Sequence, residues 1–488
     1  MEKTAEASNS AVVVKAGFWY TICNFLFKGM AFLTTPIFTR IMTKSENGDF
    51  GNYSSWMAIM LVLTSFDLAQ SVIRSKLEHE KDMDCYVWSV LSFSTIATAI
   101  WFGFALIFPS FFCKLFDTEP KYLYLMFAYF FTVPAYQMLI TKHRAFYKYK
   151  LFVLLTGISL VSGTVLSVLL TFLMNNKLDG RIFGFYIPQI LLGAGIYIYC
   201  VIKGGRIKTE YWKYACVICL PLVPHVLSLF LLSASDKVLL KKMCGSEYTG
   251  IYIVAYAAYH IVTILFDSMN KAWAPWLLES LHKKNYDSIK KVSRIYILVF
   301  VILAAGLLLV VPEVIAVLGG KGYEGAVYCL PPLVISAVIQ LIYTMYVNIE
   351  FYKKKTVGAA GATIVASLLN IILNLLLIPL NVEYSFVIAA YTTLAGYAAL
   401  FVLHYFLVRR MKMDFVYDIR YILVVIAAVS GFSLIMNFVY KHTALRVIML
   451  AVYAVLFCTA LWKNKDRILT LLRSKTGKGE IKAAEEAV

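Results

Sequence analysis

Lys28 stands in the middle of an apolar stretch, residues 18–41 (FWYTICNFLFKGMAFLTTPIFTRI), with no acidic residue close to it in sequence. A stretch of that length crosses a bilayer, because ~20 mainly apolar residues at ~1.5 Å each span the hydrocarbon. A lysine at mid-depth costs roughly 2.5 to 3.5 kcal/mol against lipid, so we expect it to face protein or a water-filled cavity. Pro36 frees a backbone carbonyl in the same stretch, a break tolerated where the helix faces protein or water. Arg40 and Arg74, near the ends of the first two apolar stretches, have no evident carboxylate partner. They either join Lys28 around an anion or snorkel to the headgroups. Lys237 sits beside Asp236 at the end of a later stretch, where the adjacent opposite charges either anchor the helix end or gate a cavity. Lys28, Arg40, Arg74 and Lys237 are therefore the expected lining of a cationic cavity, and an unpaired basic cavity favours an anionic ligand.

A second set of residues could bind a coupling ion or act as a gate. Asp67 and Asp267 occupy matching places near the ends of two stretches, where each either holds a cation or pairs with Arg74 or Lys271. His225, between Pro224 and Val226, and His260 could carry protons near neutral pH; the alternative is a packed, hydrogen-bonded histidine. Asn370 and Asn374, one helical turn apart, form a polar stripe of the kind that joins membrane helices.

The elements that must position these residues are membrane helices. Of the 488 residues, 60% are hydrophobic and only 15% charged, with a mean hydropathy of +0.73. That is too little polar surface for a soluble protein. We expect an all-α polytopic membrane protein with about fourteen spans, at 18–41, 53–73, 86–108, 122–140, 151–172, 182–202, 214–235, 248–268, 295–318, 325–347, 357–378, 385–408, 420–438 and 443–462. The polar start, MEKTAEASNS, and the lack of a small-residue cleavage site after the first apolar stretch argue against a removable signal peptide. With alternate loops assigned to opposite sides, 33 of the 46 Lys and Arg fall on the side of the N-terminus, 12 on the other and Lys28 within a helix. This bias places both termini in the cytoplasm. The net charge of +18 is thus a record of topology, with no need of nucleic acid as a partner. The basic segment 269–294 and the tail from 463 are expected to lie along anionic headgroups.

The chain also repeats itself. Phe146-Tyr-Lys-Tyr-Lys150 matches Phe351-Tyr-Lys-Lys-Lys355 at an offset of 205, which also carries Tyr186 onto Tyr391. Gly51-Asn-Tyr53 matches Gly250-Ile-Tyr252 at 199, and Phe66-Asp67 matches Phe266-Asp267 at 200. These matches define two six-helix units, spans 1–6 and 7–12, in the same orientation because six is even. The expected units are residues 1–208 and 209–412, flanking a central cavity, with spans 13 and 14 and a basic tail in 413–488. Two parallel bundles with a seam suggest alternating access.

Signals for catalysis, metals or cofactors are weak. The nine cysteines are scattered, and Cys216-Val-Ile-Cys219 lies in apolar helix without a second ligand pair. Gly319-Gly320-Lys321-Gly322 lacks the spacing of a phosphate-binding loop. We expect neither an enzyme nor a bound cofactor.

Several runs resemble a known family: Pro36-Ile-Phe-Thr-Arg40 followed by 48–53, Ser235-Asp-Lys-Val-Leu239 leading to Gly250-Ile-Tyr252, Ala272-Trp-Ala-Pro275, and 370–379 (NIILNLLLIP). Over spans 1–12 the chain looks like the polysaccharide-transporter flippases of the multidrug/oligosaccharidyl-lipid/polysaccharide exporter superfamily. The resemblance implies a bacterial inner-membrane protein that moves undecaprenyl-diphosphate-linked oligosaccharide repeat units to the outer leaflet for O-antigen, capsule or exopolysaccharide assembly. It implies a polysaccharide polymerase and chain-length machinery as working partners. A lipid II flippase and a multidrug or cation antiporter share this architecture. An antiporter would hold organic cations in a more acidic or neutral cavity, against which Lys28 counts. A polymerase or ligase would need a large external loop, and the external loops here are short.

Overall fold

The computed structural model describes Trp19, Ile22, Cys23, Leu26, Gly29, Met30 and residues 32–463. Within them the chain is helical, with no strand. Helix α1 covers 32–41. It is followed by α2 (Lys44–Ser65), α3 (Ser71–His79), α4 (Met83–Ile107), α5 (Pro109–Phe116), α6 (Pro120–Ala145), α7 (Tyr149–Leu173), α8 (Lys177–Gly204) and α9 (Thr209–Cys219). Then come α10 (Val223–Cys244), α11 (Ser246–His282), α12 (Tyr286–Leu318), α13 (Leu330–Tyr352), α14 (Thr356–Leu377), α15 (Ser385–Arg410), α16 (Ile419–Val439) and α17 (Thr443–Lys463).

Eleven helical segments among the described residues are long and apolar enough to cross a membrane. In order they coincide with the third to thirteenth expected spans, and they make the chain a multi-pass membrane protein. The expected first span falls partly outside the described residues. Helix α2 stands where the second was expected, but its first half is polar, with Glu46, Asn47, Asp49 and Asn52. Helix α17 stands at the fourteenth, and its apolar part, Thr443–Thr459, is shorter than a span.

The helices sort into two groups. In the first, α2 packs on α4, α6 and α8, and α7 lies along α8. In the second, α10 packs on α11, α14 and α15, while α13 packs on α11, α12 and α15. The buried apolar core of the second group is continuous from Leu232 to Val439. Helix α16 adds Ile422, Val425, Val429, Met436 and Val439 to that core and packs on α13 and α12, while α17 lies against α12. Arg446, 5% exposed, fastens α17 by a two-pronged pair with Glu313 of α12 at 2.5 Å, the geometry in which a guanidinium holds a carboxylate best.

Two elements depart from the expected boundaries. The seventh span is broken: α9 ends at Cys219, a short tight turn runs over Leu220–Leu222, and α10 begins at Val223. Pro221 and Pro224 remove two backbone donors there. Helix α9 packs on α3 and α4 of the first group, where Trp212 Nε1 donates to Ser89 O at 2.6 Å, whereas α10 belongs to the second. The second departure is in 269–294. Helix α11 runs on to His282 and α12 starts at Tyr286, so the basic segment is a helical hairpin. Trp273 stacks on Tyr296 across it, with ring centres 4.5 Å apart, and the Asn285 side chain caps α12 by accepting from Ser288 N.

Candidate functional site: a sealed end and a buried polar column

Helix α2 begins with a capping box, in which Thr43 and Glu46 satisfy each other's backbone donors. This sets Asn47 and Gly48 against the second group. A Cβ on Gly48 would lie 1.9 Å from Ser246 O, and one on Gly250 would lie 2.1 Å from Lys44 O. The backbones of α2 and α11 therefore touch, as only glycine permits. Polar bonds that join the halves collect at this end. Lys44 Nζ meets Glu247 at 2.8 Å. Lys241 Nζ meets Asp49 and Asp117, each at 2.9 Å, and Ser246 Oγ donates to Asp49 at 2.5 Å. Thr39 Oγ1 donates to Leu318 O at 2.6 Å.

Arg181 lies at the centre of this seal. It is 8% exposed, and its guanidinium lies 4.1 Å from the ring centre of Phe38 and 3.8 Å from that of Phe50. Its Nη1 donates to Asn47 Oδ1 at 2.5 Å, and Asn47 Nδ2 donates on to Tyr323 OH in the other half at 3.2 Å. Among the described residues no carboxylate pairs with Arg181, and its Nε has no hydrogen-bond partner.

The second group holds a column of polar side chains. Asp236, fully buried, accepts from Tyr252 OH at 2.5 Å, Tyr256 OH at 3.1 Å and Thr393 Oγ1 at 3.0 Å. Lys237 Nζ stands 4.0 Å over the centre of the Tyr256 ring, an attraction worth about 2 kcal/mol when desolvated. Tyr256 packs on Tyr259 and His260, and Tyr259 OH donates to Gln340 at 3.4 Å. Tyr343 stacks on Tyr397 on one side and His404 on the other. His404 Nδ1 ends the column 2.8 Å from Glu350 Oε1.

Of the residues singled out from sequence, Lys28 lies outside the described residues. Arg40 is exposed, and its Nη1 donates to Pro36 O of its own helix and to Val317 O of α12. Arg74 is exposed on α3 and meets Glu78 of the same helix at 4.0 Å. The structure does not gather Arg40, Arg74 and Lys237 into one site. It does gather Asp236, Lys237 and His260 around Tyr256, and His225 is half-buried on α10 with its Nδ1 lacking a hydrogen-bond partner among the described residues. Asp67 is half-buried in a left-handed backbone conformation after α2, and Asp267 is half-buried on α11. The asparagine stripe joins helices: Asn374 Nδ2 and Ser235 Oγ both donate to Asn370 Oδ1 at 3.3 Å, and Thr392 donates to Asn374. Sequence reasoning missed Arg181, Glu350 and His404.

The fold and the polar interior define a class, the two-halved helical membrane proteins. The lipid II flippase MurJ, solved in an inward closed conformation, superposes with a TM-score of 0.65 over 92% of this chain and 99% of its own, at 16% identity. An inward-facing multidrug transporter of the MATE family superposes with 0.53 over 82% of this chain and 98% of its own, at 12% identity. These likenesses establish the fold. The family pattern described as "Polysaccharide biosynthesis protein" matches residues 13–281, more than half of the chain, and the protein belongs to that family. A Haemophilus influenzae protein of the Lsg locus is 21% identical over 220 residues, 43% of this chain and 55% of that protein. The chain thus spans about half the length of this curated relative.

Proposed function

We propose that the protein is a flippase that moves undecaprenyl-diphosphate-linked oligosaccharide repeat units across the bacterial inner membrane by alternating access. The observation that carries this reading is a polysaccharide-biosynthesis sequence on a fold shared, over 92% of the chain, with a lipid II flippase. In this reading both termini are cytoplasmic, and the sealed end of α2 and α11 is the outer gate. Lys28 and Lys237 supply cations for the diphosphate, and Arg40 and Arg74 sit at the outer and inner mouths. Asp236 and His260 stand beside Lys237 as groups that respond to its charge, and Asp67 and Asp267 mark the inner ends of α2 and the apolar part of α11. A polymerase and chain-length machinery take up the product.

A diphosphate-sugar headgroup cannot cross hydrocarbon unaided, because its charges would be stripped of water without partners. A strain lacking the protein should therefore accumulate undecaprenyl-diphosphate-linked units on the cytoplasmic leaflet while its surface glycan disappears. Mass spectrometry of extracted lipid identifies the sugar, and protection from an added glycosidase locates it. Units accumulating in the outer leaflet would refute the reading. The fold likeness also favours a second reading, a lipid II flippase; rescue of a strain depleted of its lipid II flippase would support it, and failure to rescue excludes it.

A further inference from the structure

We propose that Glu350 and His404 form a single proton-binding site in the second half of the protein, loaded in the sealed conformation and emptied when the halves reopen. The proposal rests on the transport reading above and deepens it by naming the coupling ion.

The two side chains are 0% and 1% exposed and touch at 2.8 Å through Nδ1 and Oε1. Two lone pairs repel at that separation, so a proton lies between them. Their remaining polar atoms, Glu350 Oε2 and His404 Nε2, have no hydrogen-bond partner. The pair is therefore satisfied through itself alone. With an ionised carboxylate and a neutral imidazole it would carry a net negative charge. With one further proton it is neutral overall, as carboxylate and imidazolium or as acid and imidazole. In a dry interior the neutral pair is far the less costly state, because an unbalanced buried charge loses its hydration.

Among the described residues no other charged side chain is hydrogen-bonded or ion-paired to either of the two. Helix α14 carries no titratable side chain. Helix α13 offers Tyr343 and Tyr346, and α15 offers Tyr397 and Tyr405. Helix α11 brings Tyr259, with Asp267 electrostatically felt by it, and Tyr417 follows α15, its ring edge-on to that of Tyr346. The lysines at 353–355 follow Glu350 in sequence but end α13 in an exposed turn. His225 on α10 differs: its charge and that of His404 interact, and its own Nδ1 has no hydrogen-bond partner. It lies three residues beyond the break between α9 and α10, half-buried next to exposed Pro224. The bound proton passes to entering water, leaving a carboxylate beside a neutral Nδ1–H imidazole. Nothing in the repeat demands this pair. The offset of 205 places Ala145 and Tyr199 at the corresponding positions of the first unit.

The test has two arms. Infrared difference spectra of the purified protein, acidified against alkaline, should show one protonation step with carboxyl and imidazole bands together. Glu350→Gln and His404→Gln should each abolish the same step. The double substitution, which keeps a hydrogen bond between two amides, should remove nothing more and guards against loss of fold. A step that survives either single substitution overturns the site. In vesicles carrying undecaprenyl-diphosphate-linked oligosaccharide, an imposed pH gradient should speed transfer severalfold in wild type and leave the double variant unaffected; equal response in both overturns the coupling. Vesicles that move no lipid under any condition would defeat the transport reading, while the infrared arm still decides the proton site.

Discussion

Arg181 keeps its charge in a buried seal with two aromatic faces and one amide oxygen. Such a cation is tolerated because guanidinium is weakly hydrated and stacks well, but the balance depends on Asn47. Asn47→Ala should lower stability by about 1–3 kcal/mol, the cost of stranding a buried polar partner. Arg181→Met on that background should recover most of it, since an apolar side chain of similar length has no charge to strand. Thermal unfolding in detergent decides this, and a double variant as unstable as Asn47→Ala would contradict it. Lys28→Ala should abolish surface glycan at unchanged membrane level, while Lys28→Arg keeps part of the activity, because a diphosphate needs charge more than shape. The sequence was ambiguous at the edges of its apolar stretches. Arg181 falls one residue before the span expected at 182, and Glu350 three residues after the one expected to end at 347. His404 lay inside a span, but 54 residues separate it from Glu350, and sequence distance carries no sign of that contact. Asp236 and Lys237 were visible as adjacent charges; the tyrosine hydroxyls that hold Asp236 were not.

Among the elements, α2 and α11 are legible in hindsight from the repeat Gly51-Asn-Tyr53 and Gly250-Ile-Tyr252, whose glycine on α11 meets the α2 backbone directly. Gly250→Ala forces a methyl group into Lys44 O, and overpacking of this kind costs about 1–3 kcal/mol. That is roughly a 5- to 140-fold shift away from the sealed state. Cross-linking of cysteines placed at Asp49 and Ser246 should fall accordingly; unchanged yield would show that the seal absorbs the methyl. Helix α16 starts on Asp418, whose carboxylate accepts from Arg420 N and Tyr421 N and pairs with Arg294 of α12. The Arg294 bond, then the Tyr421 N–H, holds the Asp418 carboxyl below its usual range. A depressed folded value stabilises above the unfolded one and is lost as pH falls through the folded value. Wild type should therefore lose thermal stability below about pH 4 relative to its own value near neutrality. Asp418→Asn, whose amide oxygen can still cap α16, should begin lower only by the exposed Arg294 pair, about 0–1 kcal/mol, and show a flatter acid limb. Hydropathy placed most helices but stopped α11 at 268 and began α12 at 295, because the helical hairpin beyond is basic and held by Trp273 on Tyr296, a packing that no hydropathy window detects.

At the scale of the whole molecule, the halves meet at one end through small residues and short polar bonds. Alternating access needs that end to part in each cycle. Covalent joining of Asp49→Cys to Ser246→Cys should arrest transfer of lipid-linked oligosaccharide, and reduction should restore it; continued transfer in the cross-linked protein would mean that the seal never opens. The helical, multi-pass character of the chain was legible from its hydropathy, while the packing of α9 on α3 and α4 was not, because its hydropathy continues into α10.

That packing makes α10 a lever with a fixed fulcrum. Its near end is pinned at Leu220–Leu222, where α9 is docked on the opposite half. Lys241 lies 18 residues from Val223, about 27 Å along the axis at ~1.5 Å per residue, and His225 only about 3 Å. A tilt of about 10° sweeps Lys241 through about 5 Å, enough to tear it from Asp49 and Asp117, yet moves His225 by about half an ångström. One rigid rod thus turns a small rotation at its pinned end into a large stroke at the gate, so the break at Leu220–Leu222 sets how far Lys241 can travel.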